Sequence, residues 1–492
     1  MSKNVRRVLS SVALTSLAAT MVACQTVPTA PGAFGPRPGI NVGGFNAAPG
    51  SRVQPRSENE AKLADAVARG LEAVPGEYLV KMQPGANPNQ VMGAASANPA
   101  LQAMGGLNAE LVGQTQSGPI FVMKANNMMG AMNVQPQQAV QALSQMPGVM
   151  GVEPNYIVKL ELPQSGGEPT PPVAQKPGTP NDPLFSRQYH FDNVKVVEGW
   201  AQSARNEFVV AVVDTGVDSK HPDLAANILP GGWNTVDDVP AESDGNGHGT
   251  HVAGTIAAVT NNGIGVAGVA PNVKLLSIQV LSAQGYGSYE SVAKGIIMAA
   301  DKGAKVISMS LGGPRSSSVI QDAVDHAISK GALLVAAMGN SAHGDSNNPT
   351  ARPSYPAASK GVMAVGATDK NDRIARFSQA GQWNSVVAPG VDIMATFPTT
   401  PSDMPGKDYG AISGTSMATP IVSAVASMVW SKNPGLTAQQ VKAHIEATSD
   451  DLGPSGYDIL FGHGRVNALK ALSTPPGAAA VPGQVNAAAF RR

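Results

Sequence analysis

Four residues of this 492-residue chain have the types and settings for nucleophilic chemistry. Ser416 lies in Gly414-Thr415-Ser416-Met417-Ala418-Thr419-Pro420, ahead of an apolar run from Ile421 to Trp430 that reads as a buried helix. Small neighbours let backbone and a bound chain come close. A helix starting at the serine aims unpaired N–H groups and a positive dipole end beside its hydroxyl. A nucleophile that must hold a developing oxyanion needs both. Taken alone, the stretch equally describes a helix cap. Asp214 closes an apolar run in Asp214-Thr215-Gly216-Val217-Asp218. His248 opens a helix-length pattern in Asp244-Gly245-Asn246-Gly247-His248-Gly249-Thr250-His251, and Asn340 ends Ala336-Ala337-Met338-Gly339-Asn340. Singly, these read as a turn residue, a helix-start or packed histidine, and a turn former. Together, acid, imidazole and hydroxyl are the parts of an activated nucleophile. His251 raises a zinc pair with His248, but the spacing is not that of His-Glu-x-x-His and no glutamate intervenes, so it reads as structural.

These residues need a frame. Phe208 to Asp214 is a continuous β-branched run, as in a parallel strand covered on both faces. Comparable runs are Val273 to Leu281, Val306 to Leu311, Leu333 to Met338 and Val362 to Ala367. Helix-length patterns lie at His248 to Val259, Ser288 to Lys302, Ser317 to Lys330 and Ser416 to Trp430. The alternation predicts an α/β fold, a doubly wound and mostly parallel sheet flanked by helices. Chemistry in such sheets gathers beyond the carboxyl ends of the strands.

In chain order, FVVAVVDTGVD (208–218), GHGTHVAG (247–254), VAAMGN (335–340) and SGTSMATP (413–420) resemble the four signature regions of the subtilisin-like serine proteases, the subtilase or peptidase S8 family. The order Asp, His, Ser is the subtilisin order. The resemblance covers Asn181 to about Leu472. It implies a serine endopeptidase in which Ser416 attacks the scissile carbonyl, His248 takes its proton and Asp214 orients the imidazole. The Asn340 amide and the Ser416 N–H would hold the oxyanion. It further implies that Ser310-Leu311-Gly312 pairs with substrate backbone, and that Gly312 leaves room for a P1 side chain. Ala336, Ala337 and Ser354 would line an uncharged pocket, giving broad specificity with an apolar P1 preference. Family members bind calcium with residues matching Asp182, Asp223 and the Asn262 side chain, plus carbonyls of Val259, Ile264 and Val266. Solvated turns are the plain alternative there. Asp237-Asp238 and Asp369 to Asp372 read as solvent-facing loops.

Ahead of the body, Glu77 to Met82 and Ile120 to Lys124 read as strands, Val134 to Gln145 has helical spacing, and Val149 to Leu160 supplies more strand. This predicts a small α+β domain over 75–160, then a Pro/Gly linker over 161–180. In front of such a body it resembles an inhibitor I9-like propeptide in its first and last strands; the middle departs from that pattern. The resemblance implies that its last strand lies across the cleft and that the linker is cut. Ser57 to Val74 has helical spacing at Leu63, Val67 and Leu71, within an otherwise Pro/Gly-rich tether over 24–70.

At the N-terminus, Lys3, Arg6 and Arg7 precede an apolar stretch ending at Ala23, the charge order of an export signal over 1–23. Met21-Val22-Ala23-Cys24 resembles a lipobox, which implies lipidation of Cys24. Ordinary cleavage near Ala23 is the alternative. Gln25 leans towards the outer membrane. A lipid on Cys24 and a cut after Leu160 together would detach the protease, unless the propeptide stays bound. Residues 473–492 read as a disordered tail. Cys24 is the only cysteine, so the body must rely on packing or bound ions. With 34 basic and 34 acidic residues, no basic surface calls for nucleic acid. The expected protein is an exported, monomeric, self-inhibited endopeptidase acting on polypeptides. Its alternatives are a narrow maturation protease of surface proteins and an inert subtilase-fold binding module.

Overall fold

A strand with no polar side chain before its last residue has to be covered on both faces. Strand β5 (Phe208–Asp214) is covered in this way at the centre of the body. A computed structural model describes residues 53–160, 178–203, 208–341, 353–404 and 406–477. The expected signal, Cys24, the tether before residue 53, linker residues 161–177 and the tail from 478 lie outside them.

The small domain runs α1 (Glu58–Ala68), β1 (Ala73–Met82), α2 (Pro88–Ala97), α3 (Pro99–Gln102), β2 (Leu107–Thr115), β3 (Gly118–Ala125), α4 (Met128–Ala131), α5 (Pro136–Ser144) and β4 (Val149–Lys159). The body opens with α6 (His190–Val194), α7 (Val196–Trp200) and β5. It continues with β6 (Trp233–Asn234), β7 (Val239–Pro240), α8 (His248–Ala257), β8 (Val273–Gln279), β9 (Tyr286–Ser288), α9 (Tyr289–Asp301), β10 (Val306–Met309) and α10 (Ser318–Ser329). Then come β11 (Leu333–Ala337), β12 (Met363–Thr368), β13 (Asn384–Pro389), β14 (Ile393–Thr396), β15 (Tyr409–Ile412), α11 (Thr415–Lys432), α12 (Ala438–Thr448) and α13 (Ala468–Ser473).

The body sheet has the order β13-β12-β11-β10-β5-β8-β6-β7. Its pairs are parallel except β6 with β7. Strand alternation sorts the core into two layers. Val210 and Val212 pack with α8 and α11, and Ala211 and Val213 with α9 and α10. Strands β2-β3-β1-β4 form an antiparallel sheet that continues into the body, because β4 pairs with β9 at Ile157↔Ser288, Val158↔Gly287 and Lys159↔Tyr286.

Three expectations change. The helix read over Ser57 to Val74 stops at Ala68, since Gly70 takes φ +71° and the chain turns into β1. Strand β1 therefore begins at Ala73, before Glu77. Strands β2 and β13 escaped the sequence reading, β2 because its alternation at Leu107, Ala109 and Leu111 breaks at Val112-Gly113, where the pairing register shifts, and β13 because it is a six-residue run ending in Pro.

Charge is buried where the small domain meets the body. Lys81 on β1 pairs with Asp322 on α10 at 2.6 Å. Glu77 and Glu290 line a cavity of about 40 Å³ with Lys62, Lys124, Asn59 and Thr235. Asn155 on β4 donates from Nδ2 to Glu77 at 2.9 Å and to Glu290 at 3.4 Å, and accepts from the Glu290 N–H at 3.0 Å. Lys124 reaches Glu290 at 3.5 Å but sits closer to Glu110, at 2.6 Å. Burial pushes the Glu77 carboxyl up, and pushes Glu290 up to about 7 against the pull of Lys124. Glu110 and Glu77 raise Glu290 further, and Lys294 lowers it.

A carboxyl raised on folding binds more protons folded than unfolded, so its burden is absent below the ordinary glutamate range and complete above about 7. Thermal stability of the whole chain should therefore fall between pH 4.5 and 7.5. The Glu290→Gln variant should flatten that fall by roughly 3 kcal/mol, the value of a shift from the ordinary glutamate range to about 7. A pH–melting series with no difference between the two chains would rule out the buried carboxyl as its source.

Candidate active site

Strand β5 delivers Asp214 at its carboxyl end, where the chain leaves to β8 on one side and later returns to β10 on the other. Asp214 is fully buried. Its Oδ1 accepts from the Thr215 N–H at 2.7 Å and meets His248 Nδ1 at 2.7 Å. A carboxylate only accepts, so Nδ1 carries the proton and Nε2 is the basic nitrogen. Among the described residues that Nε2 has no hydrogen-bond partner.

His248 is the first residue of α8, which presses against the turn after β5. At Gly249 a Cβ would stand 2.0 Å from the Gly216 carbonyl oxygen, so glycine is required for this approach. Asp244 fastens the two segments. Its buried carboxylate accepts from Thr215 Oγ1 at 3.0 Å and from the N–H groups of Asn246, Gly247 and Thr250 at 2.9, 2.8 and 2.9 Å. It also accepts from Thr250 Oγ1 at 2.8 Å. Thr215 Oγ1 in turn accepts from the Gly249 N–H at 2.9 Å. Asp244 opens the His248 motif, and the sequence alone assigns it no role. The readable signal was an acid just before Gly-Asn-Gly at a helix start, where the N–H groups need acceptors.

Ser416 lies in the first turn of α11, so its N–H is one of the helix's unpaired donors. Pro420 has no N–H, which leaves the Ser416 carbonyl without its helical partner. Ser310 Oγ fills that place at 2.7 Å. In return Ser416 Oγ donates to the Ser310 carbonyl at 3.0 Å. For attack, the hydroxyl must turn from that carbonyl to His248 Nε2, a tightening expected when substrate binds. Asn340 Oδ1 accepts from the Thr415 N–H and from Thr415 Oγ1, each at 2.9 Å. That fixes which way the amide lies and leaves Nδ2 as its donor end.

A cavity of about 240 Å³ beside Ser416 is walled by Ser310, Leu311, Gly312, Ala337, Asn340, Ser354 and Gln379. Lys159 and Leu160 close one side, and Lys159 is the only charged residue among the described lining. Ala336 departs from expectation. One residue from Ala337 on β11, it faces the opposite side of the sheet and packs in the α9/α10 layer. Leu160 ends the strand expected across the cleft, whereas nothing in the local pattern of Gln379 points there. His251 is buried, and its Nε2 donates to the carbonyls of Ile393 and Gly410 at 2.9 and 3.2 Å. Burial first, then neighbouring His248, holds its pKa down to about 3, so it ties α8 to β14 and β15 as a neutral ring.

Asp182 and Asp223 are both fully buried and contribute to one loop. Asp182 accepts from the N–H groups of Asn261 and Asn262 at 2.9 and 3.1 Å. Asp223 accepts from Asn262 Nδ2 at 2.7 Å and from the Val266 N–H at 3.0 Å. Neither forms an ion pair with Lys or Arg among the described residues, and burial, with Asp182 adding to it, pushes Asp223 up. The two buried carboxylates and the Asn262 amide oxygen are hard-oxygen groups of the kind calcium takes, and the Val266 and Ile264 backbone meets them through N–H groups.

Comparison with known proteins agrees with this geometry. The sequence pattern of the subtilase family matches residues 205–464. Thermitase of Thermoactinomyces vulgaris is 45% identical over 295 residues, covering 60% of this chain and 99% of that protein. Subtilisin Savinase of Lederbergia lenta is 46% identical over 259 residues, 53% of this chain and 88% of that one. The crystal structure of fervidolysin from Fervidobacterium pennivorans, described as a keratinolytic enzyme related to subtilisin, superposes with a TM-score of 0.69 at 29% identity. That match spans 82% of this chain and 62% of fervidolysin.

The Gly249→Ala variant should keep its far-ultraviolet circular dichroism but lose about 10²-fold in kcat on peptide substrates, as expected for a catalytic base displaced by about an ångström. Unchanged kcat would show that the close approach at Gly249 does not set the His248 position.

Proposed function

Because the chain belongs to the subtilase family and is a subtilisin-like serine endopeptidase, we propose that it is made as an exported, self-inhibited precursor that becomes a protease of broad specificity. The observation that carries the precursor reading is the shared sheet. Strand β4 lies antiparallel on β9, the Leu160 N–H donates to the Gly285 carbonyl at 2.8 Å, and Leu160 enters the wall of the cavity beside Ser416. Leu160 thus stands in one cavity wall with Ser310, Leu311 and Gly312, the segment on which substrate backbone would add as a strand.

In the mature enzyme His248 Nε2 takes the Ser416 proton as Oγ forms its bond to the scissile carbonyl carbon. Asp214 holds the imidazolium without taking a proton itself. The Ser416 N–H and Asn340 Nδ2 receive the oxyanion, and His248 returns the proton to the leaving amine. Water then repeats the sequence on the acyl-enzyme. The apolar, small-residue wall at Leu311, Gly312 and Ala337 supports an uncharged, preferentially apolar P1 residue.

Asp182, Asp223 and the Asn262 side chain, with carbonyls of Val259, Ile264 and Val266, would hold calcium, which would neutralise the buried acids and brace the loop. We also place the precursor at a membrane through a lipid on Cys24. Labelled palmitate should enter the wild-type chain and not Cys24→Ser.

Refolded with calcium, the signal-less chain should fall to two fragments split between Leu160 and Asn181, by intact mass, while Ser416→Ala stays whole. Chelation with EDTA should lower the melting temperature of that intact variant by several degrees, as loss of a bound stabilising ion does. A wild-type chain that stays whole and resists a fluorophosphonate probe would overturn the precursor reading. An EDTA-insensitive melt would overturn the calcium assignment.

A further inference from the structure

Helix α1 and the residues before it lie outside the four-stranded small-domain sheet, yet they grip the body. The Val53 carbonyl accepts from Gln284 Nε2 at 2.9 Å. The Arg56 guanidinium lies over Gly245, three residues before His248; a Cβ there would meet Arg56 Cζ at 2.5 Å. Ser57 caps α1 by accepting from the Glu60 N–H at 3.1 Å and gives its own proton to Asp237. Asn59 Nδ2 donates to the Val236 carbonyl at 2.8 Å. Glu60 is 1% exposed, and its carboxylate accepts from the Ala283 N–H at 3.1 Å and the Arg56 N–H at 2.7 Å.

The apolar side of the helix bridges the two domains. Leu63 and Ala66 pack with Val74 and Ile157 of the small domain and with Val236 and Tyr286 of the body. Burying a carboxylate is costly unless it is bonded, and Glu60 finds one of its two donors on the body, in the loop that leads into β9. Stability of α1 alone does not call for this, because Ser57 already caps the helix.

We infer that residues 53–68 are a second docking element and that Val236, Asp237, Gly245, Ala283 and Tyr286 form an exosite for this chain's own helix. The inference rests on the self-inhibition reading and adds a partner surface to it. The exosite takes a short amphipathic helix that starts Ser57-Glu58-Asn59-Glu60 and presents Leu63. It lies beside β9, on which β4 is paired, so α1 holds Ile157 and with it the strand that leads into the cleft. Two linked contacts keep a ligand bound far longer than either alone, by about 10²-fold or more.

The test uses the Ser416→Ala chain with a recognition site for an added protease placed in residues 161–177, so that cutting does not depend on self-cleavage. After cutting, the time for which the N-terminal fragment released at that site co-elutes with the body is measured by size exclusion and mass. Glu60→Ala and Leu63→Ala should shorten that time at least 10-fold with the cut rate unchanged. Val236→Glu, on the body side, should do the same with the small domain untouched. Wild-type residence in the α1 variants and in Val236→Glu would overturn the exosite. If the wild-type fragment itself leaves at once, the self-inhibition reading fails instead.

Discussion

A carboxylate removed from water is tolerated when its lone pairs are used, and Asp244 uses its own on five donors from two separate segments. One segment follows β5 and carries Asp214; the other begins α8 and carries His248. Neither segment fixes the acid–imidazole distance by itself, because one ends a strand and the other starts a helix. The buried acid between them, with Gly249 pressed on Gly216, turns two approximate positions into one contact of 2.7 Å. The two-layered packing around β5 serves this contact by making the strand end rigid.

The nucleophile is placed by a different device. A proline four residues after Ser416 removes a helical hydrogen bond, and the freed carbonyl is taken by Ser310 from the end of β10. A helix defect thereby becomes a cross-link between α11 and the segment expected to meet substrate. Asn340, at the end of β11, is clamped on Thr415 of the same helix turn. Three neighbouring strands of one sheet thus each set one group of the site, from β5, β10 and β11.

Much of this was legible in the sequence because the body obeys simple patterns. Runs such as FVVAVVD have one physical reading, a strand buried on both faces, and Asp214, His248, Asn340 and Ser416 each stand at the end or start of such an element. Legibility failed where a residue's role comes from a distant neighbour. Ala336 and Ala337 differ only in the parity of a strand, and parity relative to a cavity is not written locally. Gln379 reaches the cleft through tertiary packing. Asp244 has no role in the sequence because its partners, Thr215 and Thr250, are identified only once β5 and α8 meet. The helix after Ser57 was read too long because its apolar spacing continues past Gly70, where the backbone already turns.

The pairing of β4 with β9 has a consequence for molecularity. In the proposed precursor, while residues 161–177 connect the two domains, the strand would return to its place by a first-order step, and dilution would not empty the cleft. A cut between Leu160 and Asn181 would leave the β4–β9 ladder and the Leu160-to-Gly285 hydrogen bond in place. What changes is the order of the reaction. Re-association becomes bimolecular, and occupancy of the cleft depends on how concentrated the fragments are. The same surface would stay closed in a crowded compartment and open in a large volume, with no change in any bond.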